Sequence, residues 1–170
     1  MELSQAIDVE HAFCTDVTVE EAEDMMNKGY EMIELCKEKE GIGMAGPQVG
    51  ILKNIIVKKD MISPAFQIIF NPKFYREGGL VQTVEGCLTY PEEHYTQKRF
   101  KKIGVVYYVW NGEKLLKKIG KAKGMEAFVW QHECHHIMGK TIAMIGELIK
   151  EENIKKRLSR DGKEMEVPVL

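Results

Sequence analysis

Apolar positions recur along residues 18–39 at three- and four-residue steps. Val19, Ala22, Met26, Tyr30, Ile33 and Cys36 form one stripe, the spacing of a helix that buries a single face. Thr18 followed by Glu21 is a capping-box pattern that predicts the helix start, and Gly41 and Gly43 predict its end. Met25, Met26 and Met32 enrich this segment and read as core packing rather than cofactor contacts. The period then changes. "NIIVKKD", "FQIIFNP" and "KIGVVYYVW" are short, rich in branched and aromatic residues, and bounded by turn formers, which predicts strands. After Trp110, "NGEK" predicts a tight hairpin turn, with "KLLKKIG" as the returning strand. A helical pattern resumes from about Gly124 to Met138, stopped by Gly139. A last helix is expected over residues 146–160, carrying Leu148, Ile149, Ile154 and Leu158. A run of antiparallel strands with helices set apart predicts an α+β fold rather than a parallel sheet.

Composition narrows the classes. A chain of 170 residues fits one domain with a sizeable core. Hydrophobic residues make up 44% and charged residues 29%, with a net charge of −2, so no global basic field marks a nucleic-acid binder. No apolar run approaches the roughly 20 residues needed to span a bilayer. The start, "MELSQAIDVEHAF", lacks the basic and apolar regions of a signal peptide. A cytoplasmic protein without membrane contact is therefore expected, and its cysteines, Cys14, Cys36, Cys87 and Cys134, are expected to be free thiols, one of them available to a metal.

The densest chemistry lies in "QHECHHIMGK", residues 131–140. His132 and His136 are four apart, so on a helix they sit about 40° apart on one face, one turn above the other. Two imidazoles so placed can bind one metal ion, with Glu133, about 80° off their midline, free to act as general base on water. Cys134 points to the opposite face and reads as a core thiol, and His135 as a neighbour supporting the ligands. H-E-x-x-H alone is short and also occurs in helices that bind nothing. A catalytic site needs a third protein ligand and an open position. The extended zinc-peptidase pattern would put a histidine at position 142, which is Ile142. Glu147, Glu151 and Glu152 are downstream alternatives in a charge-rich segment. Cys87, in "VEGCLTYP" after Gly86, is another, although a free cysteine is more often a small buried hydrophobe. Spacing does not choose among them.

Three separated motifs give a further indication. "GIGMAGPQVG" at 41–50 resembles the G-x-G-L/M-A-A-P/T-Q-V/I-G motif of peptide deformylases. "EGCLTYP" at 85–91 resembles their E-G-C-L-S-V/I-P, and residues 131–140 resemble their Q-H-E-x-D-H-L-x-G-K. "FNPKF" looks like the family's asparagine-proline turn, and the likeness runs from about Gly41 to Ile145 within one domain. It implies antiparallel sheets packed around a central helix that carries H-E-x-x-H. It also implies roles. Cys87, His132 and His136 match the metal ligands, and Glu133 matches the general acid/base. Gln48 and the Leu88 N–H match the oxyanion donors. Ile42 and Gly43 match backbone positions beside the substrate. Met125, Phe128 and Val129 match the lining of a methionine pocket, with plain core packing as the simpler reading. Glu85 and Arg99 match a structural ion pair. The implied cofactor is one divalent ion, Fe(II) first, with zinc, nickel or cobalt able to substitute. The implied reaction removes the N-formyl group from formylmethionyl nascent peptides and releases formate.

Several positions depart from the family pattern. His135 stands for an aspartate, Gly46 for an alanine, and Thr89-Tyr90 for serine and a branched residue; the usual Pro-Asp-x-x-Leu start is not evident in residues 1–17. Gly46 is expected to loosen the loop that holds Gln48. A basic cluster at Lys155, Lys156, Arg157 and Arg160 reads first as part of a solvated mixed-charge helix, with ribosome contact through the C-terminal helix as the alternative and no specific nucleic-acid sequence implied. Three rivals stand beside a deformylase: a related hydrolase of another small acyl-amine, a non-catalytic deformylase-like binding protein, and a zinc endopeptidase.

Overall fold

The protein was analysed as a computed structural model that describes residues 1–150 and Leu170. Its order is α1 (Ala6–Val9), α2 (Ala22–Glu38), β1 (Gly43–Ala45), a 3-10 turn (Gly46–Val49), β2 (Ile55–Lys59), β3 (Phe66–Arg76), β4 (Leu80–Cys87), β5 (Tyr90–Phe100), β6 (Lys102–Trp110), β7 (Leu115–Lys123), α3 (Met125–Ile137), α4 (Ile142–Ile145) and β8 (Glu147–Leu148). One sheet has the order β1-β2-β3-β6-β7 and a second the order β4-β5-β8. Every strand pair is antiparallel, so the architecture is α+β.

Two apolar clusters cover the two faces of the larger sheet. On one face, α2 contributes Met25, Met32, Ile33 and Cys36 against Val57 and Phe70. On the other, α3 contributes Ala127, Trp130, Cys134 and Ile137 against Ile56, Ile69, Ile103 and Val105. Helix α3 is buried on its opposite face as well, through Val129, His132, Glu133 and His136, as expected of a helix lying between layers. Among the described residues no helix is long and apolar enough to cross a membrane. The four cysteines are unpaired.

The buried stripe of α2 differs from the expected one. It runs through Ala22, Met25, Gly29, Met32 and Cys36, while Val19 and Tyr30 are exposed. Glu21 does accept the Thr18 N–H at 3.0 Å, but residues 19–21 form a turn, and the helix starts at Ala22. A Cβ on Gly29 would lie 2.7 Å from Ile68 Cγ2, so the helix meets the sheet at a glycine that a count of apolar residues passes over. The "NGEK" hairpin is a four-residue loop in which Asn111 Oδ1 accepts the N–H groups of Glu113 and Lys114, and the strands close at the Trp110 and Leu115 pair. No helix begins at Gly146. Glu147 and Leu148 instead pair with Thr96 and Tyr95 of β5, whose open edge captures them. Residues 151–160 of that expected helix, with the basic cluster at Lys155 to Arg160 and with Glu151 and Glu152, lie outside the described residues.

Candidate active site

Strands β4 and β5 pair so that Thr83 faces Gln97 and Glu85 faces Tyr95. Alternation therefore sends Thr83, Glu85, Gln97 and Arg99 to one side of the ladder, where helix α3 packs. The register shifts between Gly86 and Cys87, and such a bulge re-aims the side chain at the strand end. Cys87 there meets the histidines of α3: its Sγ is 3.3 Å from His136 Nε2, and the His132 and His136 ring centroids are 4.8 Å apart. Donor atoms of Cys87, His132 and His136 all lie within 4.8 Å of one another, each residue buried. Glu147 sits on an exposed strand and is not part of this group.

The Cys87, His132 and His136 group rests on a second set of polar contacts. Glu85 accepts hydrogen bonds from Thr83 Oγ1 (2.7 Å), Gln97 Nε2 (2.6 Å), Arg99 Nε (2.9 Å) and Arg99 Nη2 (2.7 Å). His132 Nδ1 lies 3.0 Å from Glu85 Oε2. With its proton on Nδ1, His132 turns the lone pair of Nε2 away from Glu85, and Nε2 has no partner. Burial would raise the Glu85 carboxyl, but hydrogen bonds from Arg99 and His132, with the Arg99 charge, hold it well below the usual carboxylate range. Burial pushes the His132 and His136 imidazoles down from 6.5, so both are neutral and able to donate a lone pair. Burial pushes the Cys87 thiol up to about 12, partly opposed by hydrogen bonds from Thr89; a bound cation would displace that proton.

Glu133 is buried without a hydrogen bond to either oxygen. Burial raises its carboxyl well above 4.5. A Cβ on Gly43 would lie 2.4 Å from Glu133 Oε1, so only glycine lets strand β1 approach this carboxylate. On its other side β1 is the edge of its sheet. Gln48, in the 3-10 turn, accepts the Ala45 N–H through Oε1 at 2.8 Å and directs Nε2 to Thr89 Oγ1 at 3.1 Å and Cys87 Sγ at 3.7 Å. Leu88 is buried in the turn joining β4 to β5. Met125, Phe128 and Val129 lie at helical spacing before His132, with Val129 buried, Phe128 half-buried and Met125 exposed. Ile42, just before β1, is half-buried. Leu170 is buried, and its N–H donates to the carbonyl of Gly86 in β4 at 3.2 Å.

One thiol and two neutral imidazoles make a three-ligand set for a divalent cation, and a catalytic site of this kind keeps a fourth position open. The unpartnered His132 Nε2 and Glu133 oxygens fit such an ion and a water better than an apolar cavity, where buried polar atoms without partners are costly. The sequence model of the family described as polypeptide deformylase matches residues 7–151. The chain belongs to that family. It is 37% identical over 109 residues to peptide deformylase 1 of Clostridium perfringens, covering 64% of this chain and 72% of that protein. It is 33% identical over 134 residues to a peptide deformylase of Buchnera aphidicola, covering 78% of this chain and 76% of that one. The peptide deformylase of Thermus thermophilus superposes with a TM-score of 0.74 at 25% identity, over 82% of this chain and 81% of that one.

Against the deformylase motifs, the departures have specific surroundings. His135 lies with Nδ1 2.8 Å from Arg99 Nη1. Burial and the Arg99 charge push its pKa down to about 3, so it serves Arg99 as a neutral acceptor. Gly46 does not loosen its loop. A Cβ there would lie 2.5 Å from the Ile51 carbonyl and 2.9 Å from Ile55 Cγ2, so the chain folds tightly over the glycine. The Tyr90 O–H donates to Glu10 Oε1 at 2.6 Å and lies 2.9 Å from Thr141 Oγ1, which ties the divergent N-terminal segment to the site. Asn71 and Pro72 form no separate turn but a bulge within β3, where Asn71 clamps the same N-terminal segment, accepting the Val17 N–H and donating to the Val17 carbonyl. Thr83 and Gln97 were not among the expected deformylase site residues. Their signal was the alternation of Thr83 with Glu85 and of Gln97 with Arg99, which becomes informative only once the two strands are paired.

Proposed function

We propose that this chain removes the N-formyl group from the N-terminal formylmethionine of newly made proteins, releasing formate. The observation that carries the reading is the pairing of the Cys87–His132–His136 triad with an unbonded, buried Glu133 directly beneath strand β1. In this reading Cys87, His132 and His136 hold one divalent ion, Fe(II) by preference, with zinc, nickel or cobalt as substitutes. When bound, that ion supplies positive charge that acidifies water and polarises a carbonyl. Glu133 takes the proton of the attacking water and returns it to the leaving amine; its raised pKa suits a group that must both accept and donate near neutrality. The Gln48 amide and the Leu88 N–H donate to the oxygen that gains charge.

The peptide adds to the open edge of β1 at Ile42 and Gly43, the mode by which sheet edges take extended chains. Met125, Phe128 and Val129, together on the ligand-bearing side of α3, line the methionine pocket. Glu85 and Arg99 support the site by fixing His132. Newly made chains are met in the cytoplasm, which sets the location. An approach to the ribosome through the C-terminal segment would involve residues beyond 150, outside those described.

Formate release from formyl-Met-Ala-Ser under anaerobic conditions, with metal analysis of the same sample, tests the reading. Turnover of formyl peptides and not of acetyl peptides is expected, which separates it from a hydrolase of other acyl-amines. The Cys87→Ala variant is expected to lose its tightly held metal and its turnover together. Full metal retention by that variant would overturn the assignment of the ligands.

A further inference from the structure

The net charge of −2 conceals a strong asymmetry. Residues 98–123 hold nine of the chain's 24 Lys and Arg and only one of its 26 Asp and Glu. Arg99 is buried against Glu85, whereas the eight lysines of this stretch are all exposed. Outside this stretch the chain holds 15 of its Lys and Arg against 25 of its Asp and Glu, so among the described residues the positive charge is concentrated on this part of the surface.

The register sorts these residues by face. Lys102 pairs with Lys123, Gly104 with Lys121, Val106 with Ile119, and Tyr108 with Lys117. Across the other border of β6, Tyr75 pairs with Gly104 and Lys73 with Val106. Partners in a ladder share a face, so Lys73, Tyr75, Lys102, Lys117, Ile119, Lys121 and Lys123 point the same way. The opposite face carries Ile103, Val105, Phe74 and Ala122 into the apolar cluster under α3. On the lysine face, the hydrophobic packing of α2 reaches Tyr108, Trp110 and Leu115, and no apolar cluster of the described residues covers the other half. Tyr75 and Ile119 are 48% and 70% exposed there. A Cβ on Gly104 would lie 2.1 Å from the Tyr75 ring, so the tyrosine lies across the glycine and its outer ring face meets solvent. Among the described residues one acidic group, Glu77, pairs with a lysine of the patch, Lys121, at 3.1 Å.

We infer that the open half of this sheet face is a docking surface for single-stranded RNA, with lysines on the phosphates and Tyr75 as a stacking platform for a base. Charge complementarity selects a polyanion. A solvent-facing aromatic ring at the centre of a rim of lysines selects a flexible strand with unpaired bases over a smooth charged surface, because stacking and backbone attraction then act together. Such a surface is indifferent to sequence. It lies away from Cys87, His132, His136 and Glu133, so it adds an anchoring function to the chain without altering its chemistry.

Fluorescence anisotropy of the metal-loaded full chain with a labelled oligouridylate of about 12 nucleotides tests this. Measurements at about 50 and about 200 mM salt should show binding whose logarithm falls with log salt, with a slope of roughly −3.5 for five lysine contacts. The Lys102→Glu/Lys121→Glu/Lys123→Glu variant should bind at least tenfold more weakly and flatten the slope by about 2. Tyr75→Leu should weaken binding about fivefold or more without changing the slope. Turnover of a short formyl peptide should be unchanged in both, which also reports that they fold. The Lys→Gln version of the triple variant serves if the glutamates impair folding. The inference is overturned if wild-type protein shows no salt-dependent binding, if the triple variant binds as tightly as wild type, or if anionic lipid vesicles bind this face and the RNA does not compete.

Discussion

Glu85 and Glu133 are two buried carboxylates on either side of His132, and their surroundings are opposite. Glu85 collects hydrogen bonds from Thr83, Gln97 and both arms of Arg99, with His132 as a further partner. Glu133 has none. Burial raises both, yet Glu85 ends well below the usual carboxylate range and Glu133 well above it. A buried charge that is fully bonded holds its neighbours in position, while one left unbonded is free to exchange a proton. The difference assigns support to one glutamate and chemistry to the other, and each assignment can be broken separately.

The largest effect is expected from Glu133→Ala. Formate release should fall by about 10²–10⁴-fold, the usual contribution of a positioned acid/base, while metal content stays at the wild-type level. Turnover surviving that change would refute the assigned chemistry. Arg99→Met should act in the complementary way. It strands the Glu85 carboxylate in a buried site and should cost about 3–5 kcal/mol of stability, read by urea unfolding. It should also loosen metal by roughly 10–100-fold, because His132 loses its orienting partner.

The sign of the pH dependence sharpens the contrast. Glu85 has a lowered folded pKa, so its contribution is present above its ordinary value of 4.5 and is lost as pH falls through the folded value. Glu133 has a raised folded pKa, so its burial costs nothing below 4.5 and a growing amount as pH climbs toward the folded value. In metal-free protein near neutral pH, Glu85→Gln should therefore destabilise and Glu133→Gln should stabilise. Both differences should shrink as the medium is acidified below about pH 4. Parallel shifts in the two variants would mean that the two carboxylates do not differ as described.

What was legible in the sequence follows the same division. That His132 and His136 share one face of α3 could be read from spacing alone, because four residues make about one helical turn. Cys134 on the apolar face follows from the same periodicity, whereas Cys87 as the partner of the histidines came from resemblance, because spacing left it level with Glu147, Glu151 and Glu152. The support of Glu85 was only half visible. Arg99 came from resemblance, whereas Thr83 and Gln97 depend on which strand pairs with which and in what register, information that no single strand carries. Gly46 misled, and Gly29 was passed over, for a related reason: each marks a close approach, by Ile51 and Ile55 or by Ile68, and close approach is a property of the partner segment. Glu147 and Leu148 were expected in a helix, but the free edge of β5 overrides a weak helical pattern.

Gln48 stands between the two glutamates and gives the smallest and most discriminating test. Its Oε1 is fixed by the Ala45 N–H, while Nε2 is shared between the Thr89 hydroxyl and a longer contact to Cys87 Sγ. Thr89→Val keeps the volume and removes the acceptor. If Nε2 serves only to hold the loop, stability should drop by about 0.5–1.5 kcal/mol, the net worth of one hydrogen bond, and kcat should hold. If Nε2 instead donates to the oxygen that gains charge during the reaction, Thr89 competes for it in the resting state and positions it for the reaction. Losing Thr89 then lets the amide rotate, so kcat should fall by about tenfold or less, the kinetic equivalent of about 1.4 kcal/mol, with KM and metal content unchanged. The second outcome is expected, because the Ala45 contact already anchors the loop. A stability loss with unaltered kcat would return Gln48 to the structural side of the comparison.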